Sequence, residues 1–203
     1  MRLAAVLLAG GRSARMGGQD KTFALLHGKP LLEHVLAILE RQADTVLISS
    51  NRPAHLFAQY GHTVLADCML GHQGPLAGLL TAMMWSQRYH PRVTHLLSAP
   101  CDVPYLPPDI ANRLKADLIA CGATIAVARD DGGLHPTIGL WPVSLVSNLA
   151  NDLIGRGMHG MQAWIRQFAI AQTDLNSHHL QNINTPEDLS TAHVEPRFQG
   201  DRL

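Results

Sequence analysis

The residues best suited to chemistry stand together near the start of the chain, in Leu8-Ala9-Gly10-Gly11-Arg12-Ser13-Ala14-Arg15-Met16-Gly17-Gly18-Gln19-Asp20-Lys21. Four glycines between positions 10 and 18 let the backbone turn tightly and approach a ligand, because no Cβ intervenes. Backbone N–H groups gathered in such a loop form a concavity for phosphate oxygens. Arg12, Arg15 and Lys21 add three cations, and no acid interrupts them before Asp20. The expected guest is a polyanion. Farther along, Asp67 and Asp102 each follow a short apolar run. A carboxylate at the end of a buried strand can hold a hard cation through oxygen. Cations in one loop and acids in neighbouring loops point to a nucleoside triphosphate with its divalent metal.

The loop departs from two common phosphate-binding patterns. Lys21-Thr22 follows Asp20 instead of Gly, so it is not a Walker A sequence, and Gly-x-Gly-x-x-Gly spacing is absent. The apolar run Leu3 to Leu8 reads as a first buried strand and not as the core of a secretory signal, since the cationic loop follows it directly.

The elements that must position these groups alternate strand and helix. Strands are expected at Leu3–Leu8, Val46–Ser49, Thr63–Ala66 and His95–Ser98. Helices are expected from Pro30 to Gln42, Pro53 to Tyr60 (closed by Gly61), Leu76 to Ser86 and Pro108 to Ala120. Such alternation implies right-handed crossovers, hence an α/β fold with a mostly parallel twisted sheet and helices on both faces. From about Thr124 the rhythm breaks. Thr124–Arg129 and His135–Leu140 read as strands joined through Asp130-Asp131-Gly132-Gly133, followed by helices at Ser144–Leu153 and Met161–Phe168. Thr185 and Asp188 form a capping box before the last helix. In parallel sheets ligands bind beyond the carboxyl ends of the strands. Four segments fall there: Leu8 to Lys21, Ser49-Ser50-Asn51-Arg52, Asp67 and Asp102.

Composition narrows the class. Sixteen Lys and Arg balance sixteen Asp and Glu, so the overall field gives no reason to expect nucleic acid or an anionic membrane. No apolar run approaches the roughly 20 residues of a bilayer span. Three scattered cysteines, Cys68, Cys101 and Cys121, suit neither a disulfide framework nor a Cys-x-x-Cys metal site, and point to a reducing, cytoplasmic compartment. Cys101 reads as a small buried thiol. The twelve histidines show no helical metal-ligand spacing.

Five motifs in order carry a resemblance: LAGGRSARMGGQDK, GPLAGL (Gly74 to Leu79), PCDVP (Pro100 to Pro104), HPTIGLW (His135 to Trp141) and NINTPEDL (Asn182 to Leu189). Over roughly residues 3 to 192 the chain resembles the molybdenum cofactor guanylyltransferases, the MobA family. The resemblance implies a Rossmann-like nucleotidyltransferase fold and transfer of GMP from GTP to molybdopterin with release of diphosphate; the length of 203 residues suits one domain, expected over residues 1–195, and the polar stretch 196–203 is expected to be a flexible tail. The charge neutralisation such a transfer needs assigns Arg15 and Lys21 to the triphosphate, with backbone N–H groups from Gly10, Gly11, Arg12 and Ser13, Arg15 being open also to a structural salt bridge with an acid. The resemblance further implies Asp102 holding Mg2+, and Leu8, Ala9, Gly10 and Asp67 around the guanosine. Asn182 and Asn184 are open between the metal shell, the pterin and a plain turn, and His135 between the pterin phosphate and a structural hydrogen bond.

Two positions bear on the base. Relatives often carry Asn where this chain has Ser49, and Asn51, two residues on, is placed to substitute. Relatives that use CTP read Leu-Ala-Ala-Gly where this chain reads Leu-Ala-Gly-Gly, which assigns Gly10 to leaving room for a purine. A cytidylyltransferase is the nearest alternative reading, another small-molecule nucleotidyltransferase the next, and a non-catalytic nucleotide or cofactor carrier the most distant. Transient contact with other cofactor-biosynthesis proteins or with apo-molybdoenzymes is the expected protein partnership.

Overall fold

The computed structural model describes residues 1–10, 20–68 and 74–194. Seven strands form one sheet: β1 (Leu3–Leu8), β4 (Thr45–Ser49), β5 (Thr63–Leu65), β6 (His95–Pro100), β7 (Ile125–Asp130), β8 (Gly133–Pro142) and β9 (Ile170–Asp174). Their spatial order is β5-β4-β1-β6-β8-β7-β9. Neighbours run parallel except β8, which is antiparallel to both β6 and β7. A separate two-residue hairpin pairs β2 (Leu25–Leu26) with β3 (Lys29–Pro30).

The apolar run of β1 is continuous because both of its faces are covered. Ala5 and Leu7 join one core with α1 (Leu31–Leu39) and α3 (Ile110–Ala120). Ala4, Val6 and Leu8 face the opposite core with α2 (Pro75–Tyr89), α4 (Val146–Ala150) and α5 (Met161–Ile165). The alternation follows from the two-residue period of a strand. After β1 the chain moves outward to β4 and β5, then returns across β1 to β6. That reversal opens a crevice at the carboxyl ends of β1, β4 and β6, where the loop after β1 and Asp102 both emerge.

Several boundaries shift for physical reasons. Pro30 does not open α1 from within; it pairs with Leu25 in β3, its ψ of 143° is extended, and the helix starts at Leu31. The hairpin turns on His27 and Gly28, with φ of 48° and 78°, the left-handed pair that a two-residue turn demands. The segment expected as one helix from Ser144 to Leu153 is a 3-10 turn (Val143–Leu145), then α4, then a π turn over Asn151–Gly155. Buried Asp152 sits in that π turn, held by Arg156 at 2.9 Å and Gln167 at 3.1 Å. The last helix, α6 (Pro186–Val194), begins as expected: Asp188 accepts from Thr185 N–H at 2.9 Å, and Thr185 Oγ1 accepts from Asp188 N–H at 3.1 Å. Gly61 closes the 3-10 segment Ala54–Tyr60 with φ of 70°. The expected tail, 196–203, lies outside the described residues.

Candidate active site

The crevice contains a cleft of about 430 Å³ whose lining includes Leu8, Gly10, Lys21, Asp67, Asp102 and Asn184. Ser49, Asn51 and Asn182 also border it, so the ends of β1, β4, β5 and β6 and the segment before α6 meet there. A second cavity, of about 600 Å³, lies at the other end of the sheet beside Arg2, Thr45 and Val93. It holds none of the predicted residues. Ala9, between two cleft-lining residues, is itself buried in the core and is not part of the cleft wall; its N–H donates to Ser49 O at 2.9 Å. Gly11, Arg12, Ser13 and Arg15 lie outside the described residues.

Lys21 stands on a single 3-10 turn, Lys21–Phe23, whose cap is Asp20: its Oδ1 accepts from Thr22 N–H at 3.0 Å. From that turn the Lys21 ammonium bonds Asp102 Oδ2 and, at 3.1 Å, Asn184 Oδ1. The Asp102 carbonyl accepts from Ile183 N–H at 2.8 Å, which docks the Asn182–Asn184 segment against the end of β6. Groups separated by 81 and 163 positions in the chain therefore converge. A half-buried ammonium between a carboxylate and an amide oxygen presents its charge at the cleft wall.

Asn51 and Asp67 hold one another. Asn51 Nδ2 donates to Asp67 Oδ2 at 2.7 Å, and Asp67 N–H donates to Asn51 Oδ1 at 2.8 Å. The expectation that Asn51 projects from the strand end beside Ser49 is consistent with both residues lining the cleft. Ser49 is buried, and a Cβ built on Gly78 would lie 2.3 Å from its Oγ. Only a small residue at 49 and glycine at 78 allow β4 and α2 to pack at this distance. Gly74 precedes α2 with φ of 73°, and its place with Pro75 in the cleft wall brings the positive end of a fifteen-residue helix to the site. A Cβ on Gly10 would meet no atom of the described residues within 4 Å.

Two further expectations resolve simply. Cys101 is buried 3.8 Å from Thr22 Oγ1, and burial, with Asp102 beside it, pushes the thiol up to about 12. His135 Nε2 lies 3.1 Å from Asp130 Oδ1, the structural alternative for that histidine. This bond, helped by Gly132 N–H, holds Asp130 below the usual carboxylate range.

Arg52 was legible as part of a strand-end segment but not as a site residue. Its Nη1 bonds the Ala9 carbonyl and its Nε bonds the Asp20 carboxylate. Thr137, which also lines the cleft, escaped because it belongs to the antiparallel strand, whose middle and not its end reaches the crevice.

The donor set fits a hard divalent cation only in company with a ligand. Among the described residues no three His, Cys, Asp or Glu side chains converge to cage an ion. Asp102 and the asparagine amides supply the few oxygen donors that a magnesium-like ion takes from protein when phosphates and waters complete its shell.

A family model described as a MobA-like NTP transferase domain matches residues 5–174. A molybdenum cofactor guanylyltransferase of Bradyrhizobium sp. (strain ORS 278) is 35% identical over 190 residues, covering 92% of this chain and 90% of its own length. One from Nitrobacter hamburgensis is 37% identical over 190 residues, covering 92% of this chain and 91% of its own. The solved structure of molybdopterin-guanine dinucleotide biosynthesis protein A from Archaeoglobus fulgidus superposes with a TM-score of 0.73 at 21% identity, covering 95% of this chain and 97% of that one. With a family model matching most of its length and relatives matching nearly end to end, the chain belongs to the MobA-like NTP transferases, nucleotidyltransferases that generally work with a divalent metal.

Proposed function

We propose that this chain transfers GMP from GTP to molybdopterin. An oxygen of the pterin's terminal phosphate attacks the α-phosphorus of GTP, the Pα–O–Pβ bond breaks, and diphosphate leaves. The attacking oxygen is already anionic at neutral pH, so no general base is needed. What the reaction needs is in-line positioning and neutralisation of charge on the leaving group. The observation that carries this reading is the meeting of Lys21, Asp102 and Asn184 in the cleft at the sheet's switch point.

Lys21 contributes the cation for the triphosphate, its direction fixed by the Asp20-capped turn. Arg15 and the backbone N–H groups of Gly10, Gly11, Arg12 and Ser13 complete that cradle on sequence grounds. Mg2+, held by Asp102 with help from Asn182 or Asn184, would supply Lewis acidity toward the phosphate oxygens. Leu8, Ala9 and Gly10 face the guanosine. Asp67 is suited to reading a base edge, because its carboxylate accepts from N–H groups and Asn51 fixes its orientation. Three unpaired thiols fit work in the cytoplasm, with the product passing to other cofactor-biosynthesis proteins or to apo-molybdoenzymes.

The test is diphosphate release by purified protein given GTP, molybdopterin and Mg2+. Asp102→Ala, with its fold verified by circular dichroism, is expected to lose at least a hundredfold in kcat/KM, the scale of removing one preorganised charged contact. Unchanged turnover would remove Asp102 from the mechanism.

A further inference from the structure

We infer that Arg52 is a positioning residue for Lys21: its guanidinium fastens the exit of β1 to the turn that carries the lysine and cancels the charge of Asp20. The inference rests on the reading above that a triphosphate occupies the cleft.

The geometry is specific to arginine. Ser50, buried just after β4, accepts from Arg52 N–H at 3.2 Å, which fixes the Arg52 backbone. From there Nη1 reaches the Ala9 carbonyl while Nε reaches Asp20 Oδ2. The other oxygen of Asp20 caps Thr22 N–H. One planar fork thus joins the last residues of two strands to the turn holding Lys21. A lysine has a single ammonium on a flexible stem and lacks this fixed fork.

The charge balance gives the contact its consequence. Around the described part of the cleft Lys21 and Arg52 face Asp20, Asp67 and Asp102, two cations against three carboxylates. Without Arg52, the Asp20 carboxylate, next in sequence to Lys21, loses this counter-charge. It then opposes an incoming triphosphate and competes for the same ammonium. The effect belongs to nucleotide binding more than to the chemical step.

The test is GTP binding by calorimetry, with steady-state kinetics, for wild type, Arg52→Ala, Arg52→Lys and Arg52→Ala/Asp20→Asn. Asn at 20 keeps the Oδ1 acceptor for Thr22 and removes the charge. Arg52→Ala is expected to raise Kd for GTP about tenfold with KM for molybdopterin within twofold. Arg52→Lys should fall between, and the double variant should recover to within about threefold of wild type. A folded Arg52→Ala that binds GTP like wild type overturns the inference. So does a double variant with no recovery, since a purely structural role would not respond to the charge at 20. Should Arg52→Ala fail to fold, Arg52→Lys with and without Asp20→Asn carries the same comparison. If wild type itself ignores GTP, the functional reading falls. The clamp is then decided by amide exchange of Thr22, Phe23 and Ala24 in the free protein: acceleration in Arg52→Lys keeps it, and unchanged exchange rejects it.

Discussion

Gly78→Ala tests whether the packing of β4 on α2 governs the cleft. An added Cβ would lie 2.3 Å from Ser49 Oγ, 3.1 Å from Ser49 Cβ and 3.1 Å from Leu8 Cδ2. The first contact is roughly 1 Å inside ordinary van der Waals distance, and Leu8 also sits on the cleft wall. Overpacking of this kind costs about 1–3 kcal/mol. Replacing an interior helical glycine by alanine returns about 1 kcal/mol of helix propensity. The net expectation is a loss of about 1 kcal/mol, a fall in Tm of about 2–4 °C for a protein of this size. Because Ser49 and Asn51 ride on the displaced strand end, KM for GTP should rise several-fold. Ser49→Ala removes the nearest opposing atom. In that background Gly78→Ala should be neutral or stabilising, a non-additivity of about 1–2 kcal/mol. Thermal unfolding of the four proteins, followed by GTP saturation curves, gives both readings. Additivity within about 0.5 kcal/mol would refute the argument, since the two sites would then not be touching.

Other expectations follow from the same contacts. Gly10→Ala places a methyl where no atom of the described residues lies within 4 Å, so the fold should tolerate it while the GTP over CTP ratio in kcat/KM falls; an unchanged ratio would discard the steric account of base choice. Cys101, buried with its thiol pushed up to about 12, should resist alkylation at neutral pH while exposed Cys68 and Cys121 react, so mass spectrometry should find two modified thiols in the folded protein. Asp130 has its pKa lowered in the folded protein, chiefly by His135, so this contact stabilises above the unfolded carboxylate value of about 3.9 and is lost as pH falls through the lower folded value. His135→Ala should therefore shift the acid-unfolding midpoint to higher pH, and an unmoved midpoint would show the bond to be inconsequential.

Elements whose physics is local were readable before any coordinates. The β1 run, the α2 leucines and the Thr185–Asp188 box each announce themselves by period or by a fixed spacing. The strand β9 did not, because in Ile170-Ala-Gln-Thr-Asp174 its buried residues are Ala171 and Thr173, small or polar. The 27–28 turn lacked the Asn-Gly or Asp-Gly pair that marks a hairpin. Within the site, Lys21, Asp67, Asp102 and Asn184 were named from strand ends and motif order, and they share one cleft. Arg52 went unassigned because its partners, Ala9 and Asp20, are 43 and 32 positions away, and Asp20 looked only like an interruption of a phosphate loop. Tertiary partnership of that kind leaves no periodic trace.

The bond from Lys21 to Asn184 spans 163 positions, and Ile183 closes on Asp102 from the same late segment. A ribosome-bound chain that has displayed β1 to β8 still lacks one wall of its nucleotide chamber. Competence thus arrives only with the final stretch of synthesis, and a product ending before Asn182 would be a nearly whole sheet without a finished catalyst.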